Sequence, residues 1–216
     1  MYKDEGVNEK NMLDEIETLG YTRPSIDLLH KTSTPLPPDV VSVILKWLPK
    51  IYKDHIGSAE HLIRALITTE EPFNPSVIID LFENSDYNST LKWTMAYVVS
   101  ISKVNDISEY IRDQLFNKPA TFESSGFLFA LDKNANFKSK QELMDALRTI
   151  FDKYSYFEGV ILFYKKYGGI EDIPFLEETR TAYDQKKAKE IDKVIDGIRN
   201  RKREHPFPVI PKKPKK

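Results

Sequence analysis

The chain contains no cysteine, only eight glycines and two tryptophans, and no uninterrupted apolar run approaching a membrane span. The first absence excludes disulfides, thiolate metal ligands and a cysteine nucleophile. Glycine scarcity accompanies the lack of any glycine-rich phosphate loop. A transmembrane helix needs about 20 predominantly apolar residues, and the densest candidate, Tyr154 to Tyr167, is broken by Glu158, Lys165 and Lys166. The polar, acidic segment Met1–Lys10 lacks the basic and apolar regions of a secretory leader. These features lead to an expectation of a cytoplasmic protein without a membrane segment.

Surplus charge is also missing, since 32 bases face 33 acids. A dedicated nucleic-acid binder concentrates a basic excess on its binding face. Here the distribution is uneven: residues 1–20 hold six acids against two bases, and residues 199–216 hold eight bases against one acid. The body is therefore mildly acidic, with the positive charge at the C-terminal end. The 30% share of charged residues exceeds the roughly 25% of ordinary globular domains, as expected for amphipathic helices with solvated faces.

What is present is helical spacing. Val40, Ile44, Trp47, Leu48 and Ile51 share one face, as do Leu91, Met95, Val98 and Val99, and later Ile191, Val194, Ile195 and Ile198. Alternation with a period of two is not sustained anywhere. Pro24, Pro37, Pro38, Pro75 and Pro174 stand where apolar periodic runs begin, a position proline tolerates because first-turn N–H groups have no intrahelical acceptor. Asn74, Asn88 and Ser139 are candidate N-caps, and Gly168-Gly169 a candidate stop.

The runs form a repeat. First helices are expected to begin near Pro38, Pro75, Ile107, Gln141 and Ile173. Second helices share a mark, a small residue followed three positions on by a large apolar one: Ala59 with Leu62, Ala96 with Val99, Gly126 with Phe129, Gly159 with Leu162, and Ala188 with Ile191. The small residues are 37, 30, 33 and 29 positions apart. Stacked helical pairs need a small residue where backbones approach, and neighbouring units bury the apolar face that no unit buries alone.

The unit from Pro75 to Ala96 resembles the HEAT and armadillo-like repeat family, in its small bacterial-type form. It has a proline, an apolar helix, an Asp/Asn-containing turn and a basic residue, Lys92, four positions before the alanine. The other units carry His55, Phe122, Ser155 and Asp184 at the basic position. The resemblance implies an all-α, right-handed α-α superhelix, a HEAT-like solenoid of about five helical hairpins. The expected organisation is an N-terminal acidic segment and irregular helical cap at 1–36, repeats at 37–200, and a basic proline-rich tail at 201–216. Met12–Leu19 and Ser25–Leu29 would be the cap helices, and Phe207, Val209 and Ile210 could hold the tail against the last repeat.

No catalytic constellation stands out. His30, His55, His61 and His205 form no HExxH motif and no His-Glu pair, and no GxSxG elbow occurs. The expectation is therefore a non-enzyme with no catalytic residues, cofactor or metal. Aromatics are the stronger signal. Counted from each small residue, positions −3 and +1 lie four apart on one helical stripe. In the central units these are Trp93 with Tyr97, Glu123 with Phe127, and Tyr156 with Val160. By resemblance, second helices line the concave face of such solenoids. Trp93, Tyr97, Glu123, Phe127 and Tyr156 are accordingly the candidate residues for binding another protein or peptide, since aromatic anchors within a polar rim suit partner surfaces. Core packing of the same rings is the competing reading. Two alternative functions fit a HEAT-like chain: a nucleic-acid binder resembling the alkylpurine DNA glycosylases, disfavoured by the acidic body, and an intracellular immunity or inhibitor protein.

Overall fold

A computed structural model describes residues 6–22, 25–29, 34–102, 104, 106–132, 137–203 and 205–207, at 154 the backbone alone. Pro24, His30, Val209, Ile210 and the tail beyond Phe207 lie outside the described residues. The described chain is all-helical and contains no strand. None of its helices is long and apolar enough to cross a membrane. It divides into two compact units, residues 1–104 and 105–216, and the division falls inside the 37–200 span.

The first unit comprises α1 (Val7–Thr18), α2 (Ile26–Leu29), α3 (Pro38–Asp54), α4 (Ile56–Ala65), α5 (Ser76–Asn84) and α6 (Ser89–Ile101). Pro37 is the extended N-cap of α3 and Pro38 occupies its first turn. The face carrying Val40, Ile44, Leu48 and Ile51 is buried. His55 ends α3 and caps α4, its Nδ1 accepting from the Ser58 N–H at 3.1 Å. That local bond is the ordinary role a lone histidine fills. Asn74 accepts from Ser76 N–H at 3.0 Å and Asn88 from Leu91 N–H at 3.0 Å, supplying acceptors that helix starts otherwise lack. First helices pack on first helices, α3 on α5, and second on second, α4 on α6. The N-terminal helices extend both rows: α1 lies on α3 and α2 on α4. Trp47 ties α3 to α1, its Nε1 donating to Glu15 Oε2 at 2.7 Å, while Lys46 bridges the same carboxylate. These two bonds hold the Glu15 carboxyl below its ordinary range.

The second unit comprises α7 (Ser108–Arg112) running into a π turn (Asp113–Asn117), a 3₁₀ segment (Glu123–Ala130), α8 (Lys140–Ile150), α9 (Phe157–Tyr167), α10 (Ile173–Arg180) and α11 (Gln185–Arg199). The Ser139 hydroxyl accepts from Glu142 N–H, and the Glu142 carboxylate reaches back to Lys138 N–H at 2.8 Å, closing the start of α8 from both sides. α8 packs on α9, α10 on α11, and α9 lies between the 3₁₀ segment and α11. The core is aromatic. Phe151 stands edge-on to Phe157, Tyr164 and Phe175 at 5.4 to 6.1 Å between ring centroids, a geometry favoured by the ring quadrupoles.

All five first helices thus begin within a residue of the expected starts, and each small residue falls in the segment that follows. Ala59, Ala96 and Gly126 are buried, Gly159 and Ala188 partly so. The large residues diverge. Leu62, Val99 and Ile191 are interior, Phe129 is half-buried, and Leu162 is 51% exposed. α9 is consequently not buried all round: Glu158, Leu162, Lys165 and Lys166 form an outer face.

Gly168 ends α9 with φ −53° and ψ 139°, a conformation open to any residue. Glycine is required there for space instead. A Cβ would sit 2.5 Å from the Tyr164 carbonyl oxygen and 2.9 Å from Ile198 Cδ1. Gly168→Ala is expected to destabilise the chain by about 1–3 kcal/mol, read as a lower urea midpoint with unchanged slope.

Candidate functional site

The five candidate residues separate according to the helix type beneath them. Trp93 and Tyr97 stand on α6, a regular α-helix, where residues four apart share a face. Their rings stack nearly parallel, 5.7 Å between centroids with 6° between planes, and both are half-buried. Stacking holds each ring in one orientation while leaving an edge of the pair in solvent.

Phe127 does not join that kind of stripe. It lies in a 3₁₀ segment of eight residues. With three residues per turn, positions 123 and 127 point about 120° apart rather than along one line. Glu123 is accordingly half-buried, whereas Phe127 is 0% exposed and stands edge-on to Tyr110 at 5.7 Å. Tyr156 closes a separate 3₁₀ turn before α9, so it shares no α-helical face with Val160. It is also 0% exposed. Its hydroxyl shares a 2.8 Å hydrogen bond with Ser124 and donates to the Gln114 carbonyl at 3.4 Å. Burial pushes the phenol pKa up against the opposing pull of the Ser124 bond. Phe127 and Tyr156 are therefore core residues, and their expected place on an exposed stripe is corrected by the change of helical period.

Sequence reasoning missed a concave feature of the second unit. The 3₁₀ segment and α9 enclose a cleft of about 190 Å³ lined by Leu128, Phe129, Asp132, Gly159, Leu162, Phe163 and Lys166. Gly159 makes the close approach possible, since a Cβ there would collide with the Leu128 side chain. Leu162 forms an exposed wall one turn on. The glycine-to-leucine mark was legible, but it placed Leu162 inside a layer.

At one end of the cleft the nearly buried Asp132 accepts from Lys166 Nζ and from the Tyr167 hydroxyl, both at 2.6 Å on Oδ2. Burial raises the Tyr167 phenol pKa, and the bond to Asp132 raises it further. Desolvation pulls the Lys166 ammonium down, but its bonds to Asp132 and Tyr167 outweigh that and hold it above its ordinary value. Asp132 is thus engaged as an anchor between the 3₁₀ segment and α9.

The first unit has a concavity of about 450 Å³ on the side of its first helices α3 and α5. It is bounded by Val41, Leu45 and Lys46 of α3, the 69–74 loop and Val77 of α5. Among the described residues no group of three or more His, Asp or Glu side chains is placed to hold a metal ion. Comparison of the chain with family models, with curated proteins and with solved structures finds no match.

The assignment of Phe127 to the core carries a measurable consequence. Phe127→Ala should lower stability by about 3–5 kcal/mol, measured by urea unfolding monitored at the helical circular dichroism signal.

Proposed function

We propose that this chain is a non-catalytic, cytoplasmic protein-binding scaffold whose helix pairs stack as a HEAT-like right-handed solenoid, with its second-helix row as the partner surface. The observation that carries the reading is the Trp93–Tyr97 stack, half-exposed on α6. Large rings fixed before binding lose little side-chain freedom on docking, which is why Trp and Tyr dominate interface energetics. The row-on-row packing of α3 on α5 and α4 on α6 supports the solenoid, because it is how repeats share one interior. Ile56, on the neighbouring second helix α4, adds a 55% exposed apolar side chain. In the second unit the segments that follow the first helices carry Glu123, Phe129 and Leu162 at least partly in solvent. Phe127 and Tyr156 serve this surface only by supporting it from the core.

The test is affinity capture from native lysate with the wild-type chain and with Trp93→Ala/Tyr97→Ala. The double variant should hold its partner about 10-fold or more less tightly while keeping its helical circular dichroism and melting temperature. Equal capture by both chains, or unfolding of the variant, would place the two rings outside any binding role.

A further inference from the structure

We propose that the cleft between the 3₁₀ segment Glu123–Ala130 and α9 takes a single large apolar side chain from an acidic protein segment. The flanking carboxylates of that segment would pair with the basic cluster at the C-terminal end of α9. This rests on the protein-binding reading and adds the partner's chemistry.

Size selects the first part of this ligand. At about 190 Å³ the cleft lies below the roughly 300 Å³ at which small-molecule sites begin. Its walls, Leu128, Phe129, Leu162 and Phe163, are apolar, and Leu162 is the one left largely in water. A leucine or phenylalanine entering beside it would remove apolar surface on both sides, each Å² worth about 25 cal/mol.

Charge selects the second part. Lys165 and Lys166 are exposed on the last turn of α9, and Lys166 forms one end of the cleft. After α11 the chain returns to the same place. The Arg201 guanidinium donates to the Lys165 carbonyl at 2.6 Å and the Gly168 carbonyl at 2.7 Å, and Phe207 packs edge-on against Tyr167 at 5.6 Å. Those contacts fix the exposed Lys202 and Arg203 near the end of α9. Among the acids close by, Asp132 is held by Lys166 and Tyr167 and Glu190 by Lys193 at 2.7 Å, while Glu158 lies exposed at the far end of α9 from Lys165, Lys202 and Arg203. By sequence, residues 199–216 carry eight bases against one acid.

Lysines at a helix C-terminus also complement the helix dipole, which applies to Lys165 and Lys166 on α9, whereas Lys202 and Arg203 reach the same place from the chain after α11. A nucleic-acid strand would need a basic track along its path. Residues 105–198 instead hold 14 bases against 17 acids, and the exposed Lys202 and Arg203 stand beside the end of α9 rather than along a track. An acidic peptide with one apolar anchor fits both features.

The experiment is fluorescence anisotropy with the full-length chain and a labelled acidic octapeptide bearing one central phenylalanine. Controls are the same peptide with serine for phenylalanine, a lysine version, and an oligothymidylate of about twelve nucleotides. The acidic phenylalanine peptide should bind and weaken as salt rises from about 50 to about 200 mM. Leu162→Glu and, separately, Lys202→Glu/Arg203→Glu should each cost at least about fivefold in affinity. Both alter exposed side chains, and circular dichroism should confirm that each variant stays folded. Equal binding of acidic and basic peptides, indifference to Leu162, or preference for the oligonucleotide would overturn the proposal. If the peptide fails to bind while lysate capture still depends on Trp93 and Tyr97, only the acidic-anchor chemistry falls.

Discussion

The interior shared between neighbouring helices is the constraint from which the rest follows. Helices of four to seventeen residues are marginal in isolation, and burial of an amphipathic face against another element makes them stable. The Val40–Ile51 face of α3 closes on α4 and α5, and the Leu91–Val99 face of α6 closes on α4 and α5. Ala59 and Ala96, both fully buried, let the second helices come together without displacing larger side chains. In the second unit Gly159 does the same against Leu128. Asp172 enters the interior of the second unit with partners, taking Arg148 at 2.6 Å and the Gly169 N–H at 2.9 Å.

Much of this was legible because it depends on local chemistry. Proline at a first turn, Asn88 and Ser139 as caps, and the 3.6-residue period placed five helix starts and the segments that follow them. Pro49 is an exception that the pattern absorbed: α3 runs through it, because the apolar face on both sides outweighs the loss of one backbone hydrogen bond. Trp47 lies on the α3 face read from the sequence, and its bond to Glu15 of α1 shows what that part of the face meets.

The illegible part has one physical origin. A stripe drawn at four-residue spacing holds only while the backbone stays α-helical. Around Gly126 and before Phe157 the chain tightens to 3₁₀ geometry, so Phe127 and Tyr156 turn inward while Trp93 and Tyr97, on an unbroken α-helix, keep the expected face. The same local tightening sets the 3₁₀ segment against α9 and leaves the cleft beside Gly159. Composition recorded the aromatic content of both regions, but the choice between interior and surface was made by a change of helical pitch that no single residue announces. Phe207 illustrates another limit: it was expected to hold the tail against the last repeat, and the tertiary contacts place it against Tyr167 at the end of α9, with Arg201 bonded to the Gly168 carbonyl.

Separating the two helix rows by their role is the most direct check on this account. Hydrogen exchange followed by mass spectrometry, on the chain alone and bound to its captured partner, reports which backbone segments gain protection. Docking on the second helices requires new protection over α4 and α6, with α3 and α5 unchanged. Protection appearing instead on α3, α5 and the 69–74 loop would put the partner at the concavity beside α3 and α5 and contradict the assignment of the second helices as the binding row.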